Sequence, residues 1–191
     1  MIKVKSDQTK FSWTLLWILA TFGGFLLSLP LIEIGTRRDI GILEASIGGM
    51  AIAIPQSCIL NSSILSMRWV LATLFGWAMI GATSVGAVGW IVHTTQSLPL
   101  RLIWGTISGA IGGFGVGLAQ WWLAIPQSVP KGWQWVLVSS GSWAVAIPIG
   151  SAVGMFLRRL TQLFLGEVVG LAITWLIVAI LTGINAYRLL K

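Results

Sequence analysis

Few side chains within the apolar stretches of this 191-residue chain carry polar atoms able to do chemistry. Gln56 and Gln120 are the most conspicuous. Each lies seven residues beyond a glycine, Gly49 and Gly113. Seven residues is within about 20° of two full helical turns, so each amide shares a helix face with its glycine. There it can tie helices together or hold a ligand, and a polar group at membrane depth is a functional candidate by default. Glu44 and Glu167 open the second and sixth apolar runs. A carboxylate there is favoured by the helix N-terminus and can pair at headgroup level with Arg37, Arg38, Arg158 or Arg159; the alternative is a proton or cation site. His93, the sole histidine, follows the third run and is a candidate ligand for one chlorophyll-like pigment. Trp77 and Trp143, with Phe25, stand deeper than most aromatics. They either pack as one layer against glycine faces or line a pocket for a hydrophobic ring or lipid.

The remaining inventory limits the reaction classes. One histidine and one cysteine give neither a metal cluster nor a paired-histidine haem site within the chain. Cys58, inside an apolar run, reads as a small buried hydrophobe. The other carboxylates, Asp7, Glu33 and Asp39, lie outside the apolar runs, and no Ser/His/Asp set has believable spacing. No catalytic residue is therefore assigned. An intramembrane enzyme would require Glu44 or Glu167 to face a polar cavity.

The elements that must position these groups are apolar helices. The chain is 56% hydrophobic and only 9% charged, against roughly 25% charged in soluble domains, and its mean hydropathy is +0.90. Six segments have the ~20 apolar residues a membrane-spanning helix needs: 11–32, 41–60, 68–92, 102–124, 133–157 and 165–187. The first is too long for the ~7–15-residue core of a signal peptide. Short connections make successive helices antiparallel neighbours in a single transmembrane domain, preceded by a short tail over 1–10. The net charge of +7 does not cluster as nucleic-acid binding requires; the Lys and Arg residues flank the apolar runs, as membrane-edge anchors do. Lys3, Lys5, Lys10, Arg68, Lys131, Arg188 and Lys191 lie on one side, and Arg37, Arg38, Arg101, Arg158 and Arg159 on the other, which places both termini in the cytoplasm. Trp13, Trp69, Trp104, Trp121, Trp122, Trp133 and Trp135, near span ends, read as interfacial belts.

Internal repetition organises the runs. "WILATFGGF" (17–25), "WVLATLFGW" (69–77) and "WVLVSSGSW" (135–143) align without gaps, as do "IGGMAIAIPQ" (47–56) and "IGGFGVGLAQ" (111–120). Aligning "GLAITW" (170–175) with "GMAIAI" (49–54) puts Ile177 opposite the glutamines in the third copy. The unit is a helical hairpin, repeated over 11–60, 68–124 and 133–187. Two crossings per unit give parallel repeats about a pseudo-threefold axis along the membrane normal. Gly105, Gly109, Gly113 and Gly117 fall on one helix face. Small residues recur at that step at Gly41, Ala45, Gly49, Ala53 and Ser57, and at Gly166, Gly170 and Thr174. Such faces let helices approach closely in lipid, so the even-numbered helices are expected to pack through them. The spacing of "GGFGVGLAQ" is not that of a dinucleotide loop. Pro55 and Pro148 should each kink a helix.

"GLAQWW" (117–122) followed by "GWQWVLVSSGSWA" (132–144) resembles bacterial, cyanobacterial-type multi-pass membrane proteins with repeated glycine-rich and Gln-Trp hairpins. The resemblance covers mainly the fourth and fifth runs and implies a bacterial inner-membrane or thylakoid location, without an activity. In size and span count the chain is also similar to the substrate-binding subunits of energy-coupling vitamin transporters. The expectation is an all-α integral membrane protein of six transmembrane helices. It would be a non-enzymatic accessory or scaffold subunit among membrane lipids and membrane-protein partners, holding lipid or a chlorophyll- or carotenoid-type pigment. The alternative is a small-molecule transporter or ligand-binding membrane subunit using Gln56 and Gln120.

Overall fold

A computed structural model describes residues 2–35, 40–60, 62–84, 89–92 and 95–190, with side chains from residue 10 onward. The described chain is helical: α1 (Ile2–Ser28), α2 (Ile42–Ser57), α3 (Ser63–Thr83), α4 (Leu98–Leu123), α5 (Gln134–Thr161) and α6 (Leu165–Leu190). Local chemistry sets the ends. The Ser62 hydroxyl accepts the Leu65 N–H at the start of α3, Pro99 sits in the first turn of α4, where its missing N–H costs nothing, and the Gly41 N–H donates to Glu44 at the start of α2. Ser84 and Gln162 close α3 and α5 in the left-handed conformation, with φ of 54° and 58°. Pro55 lies in the last turn of α2, whereas Pro148 is inside α5.

Five of the six helices are long and apolar enough to cross a membrane: 10–28 of α1, and all of α3, α4, α5 and α6. The exception is α2. Its 16 residues span ~24 Å, short of a ~30 Å hydrocarbon core. The third predicted span, 68–92, also needs correction. Its helix begins earlier, at Ser63, and stops at Thr83. Residues 89–92 are not helical and lie against the α1–α2 connection, with Ile91 bridged to Gly35 and the Val92 N–H donating to the Gly35 carbonyl.

Each helix packs on its neighbours in sequence, and α1 and α6 meet to close a ring of six. The small faces do not bring α2, α4 and α6 together as expected; they meet odd-numbered helices. A Cβ added at Gly109 would lie 2.5 Å from the Trp143 carbonyl oxygen, and one at Gly113 would lie 2.7 Å from that of Ser139. Gly150 and Gly170 bring α5 and α6 backbone to backbone, and Gly49 makes room for Trp77. The reason is geometric: in a ring each helix touches only the two beside it.

Aromatic rings fill the middle. Toward the termini, Trp17, Trp69 and Trp135 form a triangle with centroid separations of 5.5, 6.1 and 5.4 Å, and Trp13 stacks on Trp17. Toward the other end lie Phe25, Trp77, Trp90, Trp143 and Trp175. Trp13, Trp69 and Trp135, expected in interfacial belts, are therefore core residues. Trp104, Trp122 and Trp133 are exposed, as belt residues would be. Cys58 is exposed rather than buried.

Candidate functional site

Two polar constellations sit inside the ring. The first is built on the glutamines. Gln56 of α2 accepts the Trp69 indole N–H of α3 through Oε1 at 2.9 Å and donates through Nε2 to the Thr21 hydroxyl of α1 at 2.8 Å. Gln120 of α4 repeats the pattern: it accepts from Trp135 of α5 at 2.7 Å and donates to Thr73 of α3 at 2.8 Å. Each buried amide thus ties three helices together. Gln56 and Gln120 have partners of the same types, a tryptophan indole and a threonine hydroxyl. The third indole, Trp17 of α1, donates to the Thr182 hydroxyl of α6 at 3.3 Å. Thr182, five residues beyond Ile177, takes this indole. Trp175, not a glycine, lies seven residues before Thr182.

Trp77 and Trp143 do form a layer, with centroids 5.7 Å apart. Two tryptophans that the sequence did not single out complete it. Trp175 lies 4.7 Å from Trp143 and stacks on Phe25 at 5.5 Å, and its indole donates to the Gly89 carbonyl. Trp90 lies 4.8 Å from Trp77 and donates to the Ser28 hydroxyl at 2.7 Å. The space expected for a bound ring is therefore filled by the chain's own indoles. Between this layer and the lower triangle remains a cavity of about 40 Å³ bordered by Gln56, Gln120, Ser139 and Thr182.

The second constellation is ionic. Arg101, near the start of α4, makes a two-pronged contact with Glu167, near the start of α6, at 2.9 and 3.0 Å. The side chains are 0% and 3% exposed. The Arg101 Nε–H donates to the Thr95 carbonyl at 2.6 Å, and Arg158 lies 3.7 Å from the same carboxylate. Planar guanidinium and carboxylate match in this geometry, and burial makes loss of one partner costly. Glu167 was expected at the headgroups with Arg158 or Arg159; it is buried on Arg101, with Arg158 outside. Arg101 was expected as a membrane-edge anchor; it is fully buried. The signal was available, since both residues begin helices at the same end of the bundle. Glu167 also borders a cavity of about 20 Å³ with Gly150, Ser151 and Thr174. Both its oxygens are engaged by guanidinium groups.

Glu44 stays at the N-terminus of α2, half-buried, and accepts from the Gly41 N–H at 3.4 Å. His93, the candidate pigment ligand, and Arg37 and Arg38, the expected partners of Glu44, lie outside the described residues. Among the described residues, no group of three His, Cys, Asp or Glu side chains lies close enough to hold a metal ion.

No protein-family model matches the chain, and no curated protein or solved structure matches it significantly.

Proposed function

We propose that this chain is a non-enzymatic multi-pass membrane protein that serves as an accessory or scaffold subunit and acts through its outer surface. One observation carries the reading: the interior polar groups are engaged with one another. Gln56, Gln120, Arg101 and Glu167 all have protein partners across helices, and the aromatic layers fill the space around them. The outside is a continuous supply of Leu, Ile, Phe and Trp side chains, suited to lipid and to membrane-protein partners.

The same reading makes the fold three tandem parallel hairpins about a pseudo-threefold axis, with small-residue faces used as glycine zippers. The like roles of Trp17, Trp69 and Trp135, and of Gln56 and Gln120, support it. The location it implies is a bacterial membrane with both termini cytoplasmic. The transporter or ligand-binding alternative would use the glutamine amides for cargo; their engagement with Trp and Thr side chains and the 40 Å³ of space beside them weigh against it.

Affinity purification in mild detergent, with quantitative mass spectrometry and an absorbance spectrum, tests the proposal. A stoichiometric membrane-protein partner is expected, with or without bound lipid or pigment. Recovery as a bare monomer with neither partner nor bound molecule would refute it.

A further inference from the structure

The central cavity is unequal on its three sides. On two sides a glutamine bridges an indole to a hydroxyl: Gln56 joins Trp69 to Thr21, and Gln120 joins Trp135 to Thr73. On the third side Trp17 reaches the shorter Thr182, whose hydroxyl donates back to the Val178 carbonyl at 2.7 Å. Ser139, one turn beyond Trp135 as Thr21 and Thr73 are beyond Trp17 and Trp69, receives no amide. It is 4% exposed and borders the cavity. We propose that the gap between Ser139 and Thr182 is a buried hydration site, holding two or three waters where a third glutamine side chain would reach.

Size and chemistry both select water. A cavity needs roughly 10–15 Å³ of solvent-sized space per water, so about 40 Å³ admits a small cluster and excludes any organic ligand of ordinary size. An apolar cavity of this size would stay dry, whereas a water is retained where it finds two to four polar partners. Here the Ser139 hydroxyl is both donor and acceptor, each glutamine amide carries a second N–H, and Thr182 Oγ1 keeps a lone pair. A water bridging these groups forms hydrogen bonds nearly as good as direct ones at a modest entropic cost. The site stands on these contacts alone and does not depend on the scaffold reading.

A high-resolution structure of the full chain in lipid tests the site directly. Density within hydrogen-bonding distance of Ser139 Oγ is expected. A cavity without density, in a map that resolves surface waters, would overturn the proposal. Thr182→Gln provides an independent test, because it places the missing amide in the gap. Its expected effect is a melting temperature raised by about 2–4 °C, a gain abolished when combined with Ser139→Ala. No gain, or a gain that survives Ser139→Ala, would count against the site.

Discussion

Arg101 and Glu167 are the two side chains with most at stake, since they are buried charges paired with each other, with the half-exposed Arg158 only outside them. Glu167→Ala strands a guanidinium and should cost about 3–5 kcal/mol. The double replacement Arg101→Leu with Glu167→Leu should recover most of that loss, because two apolar side chains need no partner. Thermal unfolding in detergent of both variants checks the contrast; equal losses would mean the pair is not a mutual compensation. Gln120→Leu deprives Trp135 and Thr73 of partners and should cost about 1–2 kcal/mol, the range of interhelical hydrogen bonds in model membrane peptides. Gln56→Leu should behave alike. The glutamines were legible in the sequence because both keep the same distance from a glycine. Thr182 was not, since Trp175, not a glycine, lies seven residues before it. Arg101 was misread because charges near span ends look alike until the residues facing them are known.

Helix packing separates glycines that matter from glycines that do not. A Cβ at Gly109 would press on the backbone of α5 at Trp143, which has no flexible end to move aside. Gly109→Leu should therefore push α4 and α5 apart and cost at least ~1–3 kcal/mol. Gly115 and Gly141 have nothing within 4 Å of an added Cβ, so alanine there should be neutral or stabilising by up to about 1 kcal/mol from helix propensity. Melting temperatures of the three variants check this order, and destabilisation by Gly115→Ala equal to that by Gly109→Leu would contradict it. The four-residue glycine step was enough to foresee close approach by α4. It could not say which helix would approach, because spacing defines a face and not a neighbour. The overlong third span has a similar origin: residues 84–92 are apolar enough to continue a helix, yet Trp90 folds back to fill the core beside Trp77.

Around the ring as a whole, backbone-level contact is uneven. Gly109, Gly113, Gly117, Gly150, Gly154, Gly166 and Gly170 knit α4, α5 and α6 together, while α1 has one such approach to α2, at Gly24, and meets α6 mainly through side chains around Trp17, Thr182 and Tyr187. Hydrogen exchange in lipid nanodiscs should protect the middle of α5 longest and release α1 first, since local opening follows local packing. Uniform protection of all six helices would show that the ring opens as one unit. The sequence announced an all-helical chain and located its six helices, because apolar run length is a direct consequence of helix geometry and membrane thickness. The closure of α1 on α6 was not legible, as it joins the two ends of the chain.

The central claim is that this ring is filled by its own side chains and works by assembly. Native mass spectrometry of the protein released from its own membrane tests that claim most directly. The account predicts a mass above 20.6 kDa by a whole number of membrane-protein subunits, retained when Gln120 is replaced by leucine in a folded variant. A species of 20.6 kDa carrying no other protein, or one binding a small solute that is lost with Gln120→Leu, would contradict it.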